Sequence, residues 1–280
     1  MIFLALVLAL LLLWVWPRPV PLHSDDWFLR WRGGVADFAS SPSVVLGVSV
    51  VLPAIAVNIV LNVAEDLIFG LPWIGLAALL TVYSFGRTDV EGALSRYRGA
   101  LQAADFDAIA DTLRPPEEGE EPVEMSPQEV HSLARRGYFY AAYESWFAVV
   151  FWLLLLGPAA ALLYRLLQLS REGDTAEVAE DWLFYADWLP ARMLAATFTV
   201  TGDFVRSRDE LLDVVTDVER EAEDVLTHVG VAALGAAPEP AASAGAFGAQ
   251  AARECAETES LLTRTAMAWV AAVAFLVVFG

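Results

Sequence analysis

Charged residues that interrupt long apolar runs are where this chain could do chemistry. Arg87, Glu144, Arg165, Asp187 and Arg192 stand inside such runs or at their ends, and Pro190 lies between the last two. An arginine carries a planar fork of donors that fits two oxygens of a phosphate or carboxylate at once, so the set fits an anion site. Ionisable groups at membrane depth are costly to keep, which makes each of the six positions a functional candidate. The competing reading is structural. In it, an Asp187–Arg192 or Glu144–arginine pair ties helices together, and Glu144 and Arg165 reach out from helix ends. No phosphate-binding loop, dinucleotide glycine pattern, zinc-protease pair or serine-hydrolase elbow occurs, so no catalytic residue and no cofactor is assigned. His23, His131 and His228 lie too far apart for metal-ligand spacing and read as surface or packing histidines, so no metal is assigned. Cys255 is the only cysteine, which excludes an internal disulfide.

The elements that must position these residues are apolar. The chain has 280 residues, is 57% hydrophobic and has a mean hydropathy of +0.51, too apolar for an ordinary soluble domain. Its formal charge is −19, and all 17 basic residues are arginine. That balance argues against nucleic acid as a partner, because binding there needs a basic footprint. A lipid bilayer is the expected partner, with an anionic cell-wall precursor or nucleotide and other membrane proteins as further ones.

Residues 140–165 organise the rest. Twenty uncharged residues separate Glu144 from Arg165, and at about 1.5 Å each they match a hydrocarbon core of roughly 30 Å. The stretch therefore predicts one central transmembrane helix. Residues 1–17 predict an uncleaved N-terminal membrane helix, since they have neither a basic start nor a small-residue cleavage site. Residues 17–37 read as a polar-aromatic interfacial linker. Two runs, 38–64 and 67–86, predict a transmembrane hairpin around a Glu65-Asp66 turn. Capping boxes at Thr88–Glu91, Ser126–Glu129 and Ser207–Glu210 predict helix starts, and Asp174–Glu177 predicts another. Residues 115–124 read as an acidic disordered linker and 232–251 as a flexible Ala/Gly tract. The segment 183–202 carries two charges and reads as membrane-associated and broken at Pro190, and 265–280 as a terminal membrane helix.

The expected fold is thus an all-α integral membrane protein of four to five transmembrane helices with amphipathic loop helices. Its parts are 1–86, 87–138, 139–166, 167–264 and 265–280. The linker 17–37 and the loop 87–138 share a side, and their arginines put it in the cytoplasm. The side faced by 167–264 stays open. A transporter would show inverted repeats, and the two halves are not similar.

Two stretches resemble a known family. FAVVFWLLLLGPAAALLYRL at 147–166, followed by DWLPAR at 187–192, looks like the AmpE family of bacterial inner-membrane proteins. The Phe85-Gly86-Arg87 turn before a helix carrying Tyr97 fits the same pattern, as does the order of apolar helices. The resemblance covers essentially the whole length. It implies a signalling modulator of β-lactamase induction that responds to cell-wall or antibiotic stress, a regulator rather than an enzyme. That family is distantly similar to the membrane synthase of cobalamin biosynthesis, through a D-x-x-P-x-R stretch matched here by Asp187, Pro190 and Arg192. The alternative it implies is an amide-forming membrane transferase, which needs a group to activate a carboxylate and a base for the amine, and of these residues only Asp187 is placed by the motif. The chain departs from the family pattern at Trp14-Val-Trp16, where a charged residue is usual.

Overall fold

A computed structural model describes residues 1–16, 22–87, 89–113, 125–235 and 243–279. Among the described residues every regular element is helical. In chain order they are α1 (Ile2–Val15), α2 (Asp26–Ala36), α3 (Pro42–Glu65), α4 (Leu71–Ser84), α5 (Val90–Ala103), α6 (Phe106–Leu113) and α7 (Pro127–Ala142). A π turn at Tyr143–Phe147 leads into α8 (Ala148–Leu156). There follow α9 (Pro158–Gln168), α10 (Ala176–Thr201), α11 (Phe204–Thr216), α12 (Ala222–Leu234) and α13 (Ala244–Phe279). Two helical stretches are long and apolar enough to cross a membrane: Pro42–Glu65, with mean hydropathy 2.6, and Pro127–Leu156, with 1.6. Ile2–Val15 and Ile68–Ser84 are apolar but shorter.

The all-helical expectation holds, and several details differ. Residues 140–165 are not one helix. Gly157 has φ +90°, which an L side chain rarely adopts, and Pro158 opens α9 at the position where its missing N–H costs nothing. The helix breaks there, and its first half continues α7. Pro190, expected to break 183–202, sits buried inside an unbroken α10 of 26 residues. Its ring offers no N–H to Ala186, and α10 continues through it. The linker 17–37 contains a helix, α2, that alternating polar and aromatic residues concealed. Residues 244–251 of the Ala/Gly tract are helical and form the first turns of α13, whose last turns are the expected terminal helix.

The caps divide in the same way. Ser126 and Glu129 form the expected capping box, with Ser126 Oγ accepting from Glu129 N and Glu129 Oε2 accepting from Ser126 N. The start of α5 falls one residue later than expected and is capped by Asp89, while Thr88 lies outside the described residues. Ser207 does not cap α11. Asp203 does, and the Ser207 hydroxyl instead donates to the Asp203 carbonyl from within the helix. The acidic stretch 115–124 also lies outside the described residues.

The chain divides into two compact units. Unit 1 holds 1–87, 144–190 and 273–280, and unit 2 holds 88–143 and 191–272. In unit 1, α3 packs on α4 and α9, α1 on α4, α2 on α3 and α8 on α9. Alanines let helices approach closely, and Ala5 and Ala9 on α1 are fully buried, as are Ala77 and Ala78 on α4. In unit 2, α7 packs on α12, and α5 and α6 pack on α7. A cluster of Leu101, Phe106, Ile109, Val130, Phe247 and Ala251 forms its apolar core.

The α7–α12 contact depends on a glycine. A Cβ on Gly230 would lie 2.7 Å from the Phe139 ring, which is fully buried. Overpacking of this kind costs about 1–3 kcal/mol, so Gly230→Ala lowers the melting temperature of the detergent-solubilised protein. Gly99→Ala on α5, where no atom lies within 4 Å, leaves it unchanged or raised. Equal melting of both variants would show that this contact is loose.

Candidate functional site

Asp25 precedes α2 and does not cap it with its side chain, which leaves the carboxylate to reach elsewhere. Its Oδ1 accepts from Arg87 Nη2 at 2.6 Å and from the Tyr83 hydroxyl at 3.0 Å. Its Oδ2 lies 3.4 Å from Arg165 Nη2. Two of the arginines singled out from sequence therefore converge on one carboxylate, within unit 1. The Asp25 side chain is 19% exposed and that of Arg165 10%, so the pairs are shielded from most of the screening that weakens surface ion pairs.

The arginines also serve the ends of helices. Arg87 Nη1 donates to the carbonyls of Tyr83 and Phe85 at 2.6 and 2.8 Å, and its guanidinium lies 4.9 Å from the Tyr83 ring centre. Those carbonyls at the end of α4 have no helical partner, and the negative end of the helix dipole favours a cation there. His23 makes a further bond to the Val82 carbonyl at 3.1 Å. At the end of α9, Arg32 donates to the Leu169 carbonyl at 3.1 Å. Arg165 donates to Gln168 at 3.1 Å, and Gln168 donates to the Glu144 carbonyl at 3.2 Å. Glu144 is ion-paired with Arg171. Gly86 pins this turn in place, since its N–H donates to the Ser145 carbonyl at 2.9 Å and a Cβ would sit 2.7 Å from Ser145 Cα. The Nε groups of Arg87 and Arg165 are buried and have no acceptor among the described residues.

Asp187 and Arg192 do not join this group as one site. Five residues on a helix are about 140° apart around its axis, so the two side chains leave α10 on different faces. Asp187 accepts from the buried Tyr164 hydroxyl at 2.8 Å in unit 1. Arg192, in unit 2, donates to the carbonyls of Asp217 and Arg220 and so holds the turn between α11 and α12. The expected Glu144–arginine pair is present, with Arg171 as the partner. Asp25 is the residue that sequence reading passed over. Its signal was a charged pair, Asp25-Asp26, beside Trp27, Arg30, Trp31 and Arg32 in a segment read as linker.

Unit 2 has a polar core of its own. The Tyr97 hydroxyl and His131 Nδ1 lie 2.6 Å apart, His131 Nε2 is 3.4 Å from Glu254, and Arg135 donates to Glu254 at 2.8 Å. His131 is thus a packing histidine beside the buried Arg135–Glu254 ion pair. Cys255, on the next residue, is buried, and that burial pushes its thiol up to about 11, which makes it a poor nucleophile. Among the described residues no group of three metal-ligating side chains occurs.

The fold and site define an all-helical protein with long apolar helices, whose charged residues tie helix ends together. A family model described as "Regulatory signalling modulator protein AmpE" matches residues 5–280. The chain belongs to the AmpE family. No curated protein and no solved structure matches it.

Burial pushes the Asp25 carboxyl up, but the hydrogen bond and charge of Arg87, with the charge of Arg165, hold it below the usual 3.8. A depressed carboxyl contributes stability that is present above its unfolded value and is lost as pH falls through the folded one. Glu254 shifts in the same direction, against burial, through His131 and Arg135. The detergent-solubilised protein should therefore lose stability on acidification below about pH 4, and Asp25→Asn should flatten that loss while destabilising it at neutral pH by about 1–3 kcal/mol. Parallel acid profiles of the two proteins would remove Asp25 from the stability argument.

Proposed function

We propose that this chain is a multi-pass protein of the bacterial inner membrane that modulates β-lactamase induction under cell-wall or antibiotic stress. Its signal is an anion read by Arg87 and Arg165. Membership of a family of regulatory signalling modulators supports the regulatory role, and the two long apolar helices fit a membrane protein. The observation that carries the ligand reading is the Asp25 carboxylate lying between Arg87 and Arg165. A carboxylate is chemically what a muropeptide offers, and a phosphate of a lipid-linked precursor or nucleotide has the same oxygens for an arginine fork. Asp25 then acts as the resident anion that a ligand displaces, freeing α2 from the ends of α4 and α9. The buried Nε groups of both arginines leave each fork a further donor for a ligand with more oxygens than one carboxylate has. A transferase built on Asp187 is the alternative raised by the D-x-x-P-x-R stretch. The bond from buried Tyr164 gives Asp187 a packing role instead, which favours regulation.

Two measurements test this. In cells carrying a β-lactamase reporter, the Arg87→Gln/Arg165→Gln protein should blunt induction by a β-lactam, and Asp25→Asn should raise the uninduced level. Normal responses from both variants at normal abundance in the membrane fraction would sink the proposal. The multi-pass reading requires the chain to stay in the pellet after an alkaline carbonate wash, and release into the supernatant would overturn it.

A further inference from the structure

Unit 2 contains a cavity of about 650 Å³ between α7, α11 and α12. That is within the roughly 300–1,000 Å³ range of small-molecule sites. In a chain with formal charge −19, its wall carries Arg135, Arg136, Arg206, Arg220 and His228 against two carboxylates, Glu210 and Asp224. Each of these cations faces an acid, His228 lying 2.6 Å from Glu210, so what the wall offers an anion depends on how firmly each arginine is held.

The arginines of this wall are not equivalent. Arg136 is committed to Glu223 at 2.9 Å and to Asp224 at 3.0 Å, and Arg135 to Glu254 at 2.8 Å. Arg206 and Arg220 are held loosely. Arg206 lies 3.6 Å from Asp203, and Arg220 lies 3.6 Å from Asp213 and 3.3 Å from Asp217. Those acids are 40–65% exposed, and ion pairs of this kind contribute little. Among the described residues both guanidiniums are held by these exposed ion pairs alone, which a ligand with stronger charges can displace. Arg192 fixes one of them, because its bonds to the Asp217 and Arg220 carbonyls hold the turn that presents Arg220. Ser132 and Thr227 add hydroxyls, and Val231 and Ala232 add an apolar patch.

We infer that this cavity binds an organic anion carrying at least two negative charges, of about nucleotide size. Arg206 and Arg220 take the charged groups, and Arg135 and Arg136, held by their own carboxylates, line the back of the cavity. Ser132, Thr227, Glu210 and Asp224 meet the ligand's hydroxyl or amine groups. A bare phosphate would leave most of the volume and the apolar patch unused. The site is separate from the Asp25–Arg87–Arg165 group and stands or falls independently of it.

Calorimetric titration of the full-length protein in neutral detergent tests this, with ADP and citrate as probes and inorganic phosphate and adenosine as controls. Saturable binding is expected for ADP or citrate, and the tighter of the two decides between phosphate and carboxylate ligands. Affinity should fall as salt rises and drop at least about tenfold in Arg206→Gln/Arg220→Gln, since each charged hydrogen bond is worth a factor of that order. Arg208→Gln, an exposed arginine of α11 outside the cavity, should bind as the parent does. Matching melting temperatures establish that the double variant is folded. Failure of both ADP and citrate to bind overturns the proposal, as does undiminished binding by the folded double variant. Inorganic phosphate binding as tightly as the organic probes overturns the assignment of an organic ligand.

Discussion

Two guanidiniums converge on the carboxylate of Asp25, and each belongs to a turn at the end of a helix. Arg87 follows α4, whose last carbonyls it caps, and Arg165 lies in the last turn of α9. Removing the carboxylate would leave two poorly exposed cations near each other with less to neutralise them, an arrangement that costs far more than an exposed pair. An arginine cannot escape the cost by losing its proton, because its pKa lies too high. Asp25 is thus a condition for Arg87 to keep its cap on α4 and for Arg165 to stay seated in the last turn of α9. The Trp27 indole reinforces it by donating to the Tyr83 hydroxyl at 3.0 Å, which itself donates to Asp25.

This dependence explains why the site was only half legible in sequence. Arginines at the ends of apolar runs stand out because hydropathy marks the run and the charge marks its end. Their partner does not stand out. Asp25 lies 62 positions from Arg87 and 140 from Arg165, and no local rule connects residues at such separations. Asp187 and Arg192 show the converse of this separation, lying only five positions apart. Closeness in sequence suggested contact, but the helical period places the two on different faces.

The elements were legible wherever one local rule acted without competition. The Ser126–Glu129 capping box formed as read because each side chain meets the other's backbone. At Ser207 the same pattern occurs, but Asp203 four residues earlier accepts from Val205 and Arg206 and takes the cap. A pattern match cannot rank two such candidates. Gly157-Pro158 and Pro190 show the same limit for breaks. The glycine supplies a backbone conformation that ends a helix, whereas a proline alone forfeits one hydrogen bond that a well-packed helix can forgo. Ala191, Leu194, Ala195 and Phe198 are fully buried just beyond Pro190, and that packing keeps α10 continuous.

One helix therefore supplies Asp187 to unit 1 and Arg192 to unit 2, each bonded within its own unit. The D-x-x-P-x-R stretch makes sense as two structural attachments, one to a tyrosine hydroxyl and one to a pair of backbone carbonyls. Backbone carbonyls are present whatever the side chains of 217–220 may be, so Arg192 can hold that turn while its residues vary. What the turn presents is Arg220, whose guanidinium is held among the described residues only by ion pairs with Asp213 and Asp217. A buried arginine used to fix the backbone beneath a loosely held one is the arrangement expected where a fork must be positioned and yet remain open. Arg192 thereby connects the motif to the wall of the cavity proposed above as an anion site.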